Sequence, residues 1–345
     1  MTSVSHRTYT RLGLMGNPSD GFGGKTITVQ IKDFYAEATL TASGRVEIVP
    51  HPQHDPFHFD SIERLHHTAK QDGYYGGTRL IYATCKRFYD YCNAYHVELP
   101  QKNFRIEYDT NIPRQVGLGG SSAIVVAALR VLMKYYGITD EQIPLPVQPN
   151  LAREVETEEL EIKAGLQDRV AQIYGGLVYM DFDPAIVEKF GHGEYQRLPI
   201  DLLPPLYLAW IPHSTTTSGR AHNRVHYRFE QNDPEVVAAM KQFADYTDQA
   251  VEALENRDVE RLAALMDANF DLRRRIYGDE VIGEKNLQMV EIARSHGMPA
   301  KFTGSGGAIT GVLLDEEKIP ALQDAFKGAG FKFRRVTPAP IVNDC

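Results

Sequence analysis

Cysteine is scarce in this chain. Three residues in 345, Cys85, Cys92 and Cys345, make an odd count with no C-x-x-C spacing. That excludes a disulfide framework and a cysteine-based zinc site, and it fits a reduced, cytoplasmic setting. Long apolar runs are missing as well; none approaches the roughly 18–20 residues of a membrane span. The opening MTSVSHRTYTRLG has no apolar h-region, so no secretory signal is expected. Positive charge is in deficit, 37 Lys and Arg against 45 Asp and Glu, for a net charge of −8. A nucleic-acid partner would call for the opposite sign, whereas a local basic pocket for a small anion remains compatible. No internal repeat and no low-complexity tract is found.

What is present is ordinary globular composition, 43% apolar and 24% charged, over a length that suits two domains. Strands are predicted at Arg7–Met15, Lys25–Phe34, Ala36–Leu40 and Asn103–Tyr108. Ser61–His96 reads as mostly helical, broken by Gly73, Gly76 and Gly77. Further helices are predicted at Ser122–Tyr136, Asn150–Glu161 and Asp168–Tyr174. Prolines and glycines cluster between Asp183 and Pro205, which places a boundary there and divides the chain into 1–195 and 196–345. Beyond it, three long helices (Pro234–Asn256, Val259–Tyr277, Gly283–His296) lie among strands at Tyr207–Ile211, Ala300–Thr303, Ala308–Leu314 and Lys332–Val336. A last helix is expected at Ile319–Lys327. Strands and helices intermix without strict alternation, so the class is α+β.

The strongest chemical signal is Ile112-Pro-Arg-Gln-Val-Gly-Leu-Gly-Gly-Ser-Ser-Ala123, set between a strand and a helix. Gly117, Gly119 and Gly120 admit a ligand close to the backbone. Ser121 and Ser122 then open a helix, whose unpaired N–H groups and positive dipole end suit a phosphate. Neither the Walker A ending nor the dinucleotide glycine spacing is present. A plain turn with a serine cap would need no ligand at all.

Near the N-terminus, Arg11-Leu-Gly-Leu-Met-Gly-Asn-Pro-Ser-Asp-Gly-Phe-Gly-Gly-Lys25 ends a strand in a turn that carries Asp20. Asp20 can accept hydrogen bonds from sugar hydroxyls, and Arg11 can stabilise developing negative charge. These residues also favour an ordinary surface turn. A third segment, Gly165–Gly176, places Asp168 at a predicted helix N-cap, where it is either a cap or a group that orients or deprotonates an acceptor hydroxyl. Twelve residues earlier stands Glu156, in a run with Glu154, Glu158, Glu159 and Glu161. Most of that run is expected on a solvated face, with one member free to hold Mg²⁺. The fourth, Lys301-Phe-Thr-Gly-Ser-Gly-Gly307, is either a plain hairpin or a loop that closes over a nucleotide.

In this order the four motifs resemble the GHMP kinase superfamily, from about Arg7 to Leu314. The middle one resembles that family's phosphate loop, P-x-x-x-G-L-G-S-S-A, with Gly120 where many members carry serine. The resemblance implies ATP and Mg²⁺ as cofactors. It implies a phosphate cradle of Gly117, Leu118, Gly119, Gly120, Ser121, Ser122 and Ala123, closed by Gly304, Ser305 and Gly306. Mg²⁺ would be held by Ser121 and Glu156, Asp168 and Arg11 would be catalytic, and Asp20 would bind sugar. The Glu-His that precedes the aspartate in the family is replaced here by Asn17-Pro18. The implied fold is an N-terminal α/β domain with a left-handed βαβ crossover and a ferredoxin-like C-terminal domain.

Within the superfamily, GNPSDGFGGKT, NIPRQVGLGGSSAIV, AGLQDRVAQIYGGLVYMDF and Ser218-Gly-Arg-Ala-His222 are most similar to the glucuronokinases. That implies phosphorylation of glucuronate at its anomeric hydroxyl by a monomer or homodimer. The alternatives are a heptose phosphate, galactose or mannose as acceptor, or a non-catalytic binding protein on the same fold. A substrate carboxylate wants a basic partner, for which Arg114, Arg220 and Lys25 are candidates, with Ser218 nearby. The histidines His51, His54, His58, His66 and His67 are read as a polar loop, because the run is broken by proline and has no helical register.

Overall fold

The computed structural model describes residues 3–72, 76–212 and 219–341, with side chains described except at 71–72 and 219–223. The chain begins with two long antiparallel strands, β1 (Ser3–Met15) and β2 (Lys25–Ser43), joined through a one-turn 3-10 helix at Ser19–Phe22. The sequence pattern divides β2 in two, and the register shows why. Tyr9 pairs with Tyr35 but Thr10 pairs with Ile31, so residues 32–34 bulge out of an otherwise continuous strand. β3 (Glu47–Ile48), α1 (Ile62–Asp72), α2 (Gly77–Ala94) and β4 (Asn103–Thr110) follow, then α3 (Gly120–Tyr136), α4 (Gln148–Thr157), α5 (Gln167–Tyr174) and β5 (Leu177–Asp181).

The segment rich in proline and glycine is more ordered than its composition implies. It forms α6 (Pro184–Phe190) and β6 (Glu194–Leu198). Asp183 caps α6 by accepting from Ala185 N, Pro184 occupies the first turn, and Gly191 closes the helix in the left-handed conformation. There proline and glycine punctuate a helix, which composition alone does not distinguish from a linker. The first sheet has the order β3-β4-β2-β5-β6, with β1 also on β2. β2 pairs with β4 through residues 36–43 and with β5 through residues 25–29. Helix α3, alanine-rich and buried along most of its length, lies across β1 and β2 and packs on α2.

From 206 onward come β7 (Leu206–Trp210), α7 (Gly219–Glu230), α8 (Pro234–Glu255), α9 (Val259–Tyr277), α10 (Asp279–Ile282), α11 (Glu284–Ser295), β8 (Lys301–Phe302), β9 (Ala308–Val312), α12 (Ile319–Gly328) and β10 (Lys332–Arg335). The second sheet is antiparallel in the order β10-β7-β9-β8. Strand, helices, two strands, helix, strand is the ferredoxin-like succession. The chain end then returns to the first sheet. Lys32 N donates to Thr337 O, Ala339 N donates to Gln30 O, and Thr337 N donates to Asp33 Oδ2, so residues 337–339 fill the bulge in β2.

Candidate active site

The glycine loop is held by its carbonyls. Gly117 O accepts from Arg11 Nη1 at 2.7 Å and from Thr303 Oγ1 at 3.2 Å. Leu118 O accepts from the Thr10 hydroxyl, and Gly119 O accepts from Gln172 Nε2 at 2.8 Å and Ser122 Oγ at 3.0 Å. Three consecutive acceptors are thereby satisfied by the protein, which leaves the loop's donors as the groups to meet a ligand. Gly119 is the N-cap of α3, with φ +69° and no side-chain cap bond. A Cβ there would stand 3.2 Å from Asp168 Oδ2 and 3.0 Å from Gln172 Nε2. Ser122 is fully buried and committed to the loop, whereas Ser121 is exposed and lines a cavity of about 1010 Å³.

The same cavity is lined by Arg11, Asp20, Arg114, Gly117, Gly119, Gly120, Glu156, Asp168, Gly304 and Ser305. Arg11, on β1, is 4% exposed and grips Asp168 Oδ1 with Nε at 2.8 Å and Nη2 at 2.6 Å. Its Nη1 also donates to Thr303 O at 3.2 Å, so this one guanidinium ties β1, the glycine loop, α5 and the loop after β8 together. Asp168 is not an N-cap. Leu166 is the N-cap of α5, without a side-chain bond, and Asp168 lies inside the first turn with its carboxylate on Arg11. The bond goes across the fold instead of back to its own helix, a choice that sequence-local rules cannot register.

Glu156 is 3% exposed and ion-paired through Oε2 to Arg169, whose Nη1 is also 3.8 Å from Asp168 Oδ2. Burial, then the like charges of Arg11 and Arg153, pull the Arg169 pKa downward. Of the other acids in that run, Glu154 and Glu159 are half-buried partners of Arg87 and Lys86 on α2, and Glu158 and Glu161 are exposed. The solvated-face reading therefore holds for only part of the run.

Asp20 lies in the 3-10 turn, with Oδ2 3.1 Å from where a Cβ on Gly165 would stand. Burial in protein, then the charge of Asp168, pushes its pKa up to about 7 against the pull of Arg11 and Arg273. Asn17, where the sequence departs from the family motif, has structural work instead. Its Oδ1 accepts from Lys301 Nζ at 2.5 Å, and its Nδ2 reaches Phe302 O and Gly304 O. Lys301 is fully buried and spends its remaining donors on Gly13 O and Phe302 O, each at 2.7 Å. Burial, then the charges of Arg273 and Arg11, depress its pKa well below the usual lysine value.

Several candidates fall elsewhere. Lys25 does not line the cavity; it pairs with Asp248 at 2.7 Å and Asp181 at 3.7 Å. Burial alone would lower its pKa, but the Asp248 bond and nearby Tyr179 hold it above the usual value. Ala123 and Gly306 lie outside the lining; Ala123 is core, and Gly306 packs its carbonyl against Gly117. Ser218 and the side chain of Arg220 lie outside the described residues. Arg114 is at the cavity, with Nη2 donating to His54 O at 3.0 Å. Among the histidines, His51 stacks on His54, and among the described residues no three His, Cys, Asp or Glu side chains converge as a metal site.

Sequence reasoning missed Thr10, Gln172, Arg169 and Arg273. Arg273 carried a faint signal: with Met266, Asn269, Phe270 and Tyr277 it falls at helical spacing on the buried stripe of α9, while Arg274 and Arg275 next to it do not.

A glycine loop with its acceptors withdrawn, opening a helix beside the Arg11–Asp168 pair in one cavity, suits a phosphate held next to an acceptor hydroxyl, the arrangement of a phosphoryl-transferring small-molecule kinase. The profile of the GHMP kinases N terminal domain matches residues 79–176, and that of the GHMP kinases C terminal matches residues 250–332. The chain is 44% identical to Glucuronokinase 1 of Arabidopsis thaliana over 340 residues, covering 98% of this chain and 93% of that one. It is 45% identical to Probable glucuronokinase 2 of the same plant, covering 97% and 91%. The fold superposes on the mevalonate kinase of Methanococcus jannaschii with a TM-score of 0.72 over 98% of this chain and 99% of that one, at 18% identity. The chain belongs to the GHMP kinase family.

Proposed function

We propose that this chain is an ATP-dependent sugar 1-kinase that phosphorylates D-glucuronate at its anomeric hydroxyl. The observation that carries the reaction type is the Arg11–Asp168 pair at the mouth of the glycine loop, in one cavity with Asp20. Near-full-length identity to two glucuronokinases supports the acceptor.

Asp168 accepts the hydrogen bond, and then the proton, of the attacking hydroxyl. Arg11 fixes the carboxylate that does so and lies beside the oxygen on which charge develops. Asp20 takes hydroxyls of the sugar ring. Loop donors and the start of α3 receive the phosphates, and Gly304 and Ser305 close the other side. Ser121 and Glu156 would hold Mg²⁺. Both line the cavity, and a hydroxyl and one carboxylate are the hard oxygen donors this ion takes alongside phosphate oxygens and water. Bound there, the ion would neutralise phosphate charge. The division into 1–195 and 196–345 assigns the loop and the base to the first part and the closing residues to the second. Free thiols at Cys85 and Cys92 support a cytoplasmic site of action. A monomer or homodimer without nucleic acid suffices for this chemistry. Among the described residues no helix is long and apolar enough to cross a membrane.

The test is ADP release with ATP–Mg²⁺ over glucuronate, galacturonate, galactose, mannose and a heptose phosphate. Highest kcat/KM on glucuronate is expected. A preference for a neutral or phosphorylated sugar would remove the glucuronate assignment and keep the kinase.

A further inference from the structure

Arg273 is an arginine short of an anion. It is 3% exposed, yet it lines the cavity with Asp20, Asp168, Gly304 and Ser305. Its Nη1 donates to Gly304 O at 2.8 Å and its Nη2 to Ser305 O at 3.3 Å, while Nε has no hydrogen-bond partner. The guanidinium stands over the Phe302 ring at 4.8 Å and the Tyr277 ring at 5.4 Å. Its contacts are carbonyls and ring faces, and among the described residues no carboxylate forms an ion pair with it. A buried guanidinium in that condition leaves much of its desolvation cost uncompensated. Other buried cations around the acceptor site are engaged: Arg11 by Asp168, Arg169 by Glu156, and Lys301 by three oxygens. Asp20 acts on Arg273 through space without touching it.

The position matches what a uronic acid presents. Arg11 takes the carbonyl of Thr303, and Arg273 takes those of Gly304 and Ser305, so the two arginines hold consecutive residues of one loop. In a pyranuronate the two carbons that flank the ring oxygen carry the anomeric hydroxyl and the carboxylate. A sugar that offers its anomeric hydroxyl to Asp168 therefore carries its carboxylate to an adjoining wall. We propose that Arg273 recognises the carboxylate of the acceptor and so selects a uronic acid over the corresponding neutral sugar. The planar guanidinium fork suits that group, and two of its five N–H groups already fix its orientation. The inference rests on the glucuronate reading given above.

The experiment compares wild type, Arg273→Gln and Arg273→Lys on D-glucuronate and on its neutral amide, with the thermal midpoint and ATP–Mg²⁺ binding measured in parallel. Arg273→Gln is expected to lose on the order of 30- to 1000-fold in kcat/KM on glucuronate, chiefly through KM, and less than about 3-fold on the amide. Equal losses on both sugars, or none on glucuronate, would overturn the inference and leave the kinase reading intact; Arg273 would then only anchor the loop. If Arg273→Gln does not fold, Arg273→Lys decides, because it keeps the charge and loses the fork. A selective loss on glucuronate supports the inference, and a uniform one overturns it. Wild type that phosphorylates only neutral sugars would remove the acceptor assignment and this role with it.

Discussion

Asp168 is held through Oδ1 by Arg11, while Oδ2 stands near Arg169 and the start of α3. Asp168→Asn keeps the shape and removes the proton acceptor. It should lower kcat on the order of 10²- to 10⁴-fold with ATP binding retained, and near-normal turnover would remove the base role. Asp20 gives a pH signature. With its pKa pushed up to about 7, it is partly protonated at neutral pH and can accept sugar hydroxyls fully only above that. kcat/KM for the sugar should therefore rise as pH rises through about 7 and then level, and Asp20→Asn should flatten that limb. Stability runs the other way. A raised carboxylate pKa means the native state holds the proton more tightly than the unfolded chain, so this group destabilises most above about 7 and is relieved as pH falls toward the ordinary carboxylate range. A flat wild-type profile between pH 6 and 8 would count against both statements. The motifs singled these residues out as candidates but gave no sign of Arg169 or Arg273: Arg169 follows Asp168 directly yet turns to Glu156, and Arg273 lies far along the chain beside two other arginines.

At the scale of the element, the glycine loop and α3 separate two glycines that the sequence sets side by side. Gly119 has φ +69° and faces Asp168, while Gly120 lies in the first turn of α3, where a Cβ would meet only Ile112 at 3.5 Å. Gly119→Ala should cost about 1–2 kcal/mol in urea unfolding from the left-handed backbone alone, and it should impair turnover through Asp168 and Gln172. Gly120→Ser should be neutral or stabilising by up to about 0.5 kcal/mol, since serine is the better helix residue. Equal costs at the two positions would contradict this account of the loop. Local rules read α3, α8 and α9 nearly whole, because long periodic helices announce themselves. They split β2 at its bulge, which residues 337–339 fill from far along the chain, and read α6 as linker, because the Pro184 and Gly191 that bound this short helix are also the residues of a linker.

For the whole molecule, the end of the chain stitches the two sheets together. Truncation after Val336 removes the bonds from Lys32 N to Thr337 O, from Ala339 N to Gln30 O and from Thr337 N to Asp33 Oδ2. At about 0.5–1.5 kcal/mol each, the loss should be about 1.5–4.5 kcal/mol and the thermal midpoint should fall by several degrees. An unchanged midpoint would show that the tail does not bind the sheets. By itself the sequence determined the α+β class, the long helices and the place of the glycine loop, because periodicity, helix-opening glycines and short motifs are local properties of the chain. Tertiary structure alone decided which arginine meets which carboxylate. Arg11 and Asp168 are far apart in sequence, Lys25 is taken by Asp248, and Arg273 is buried whereas Arg275 faces solvent. Those pairings follow from the packing of β1, α5, α9 and the loop after β8 around one cavity, a long-range arrangement that no window of sequence contains.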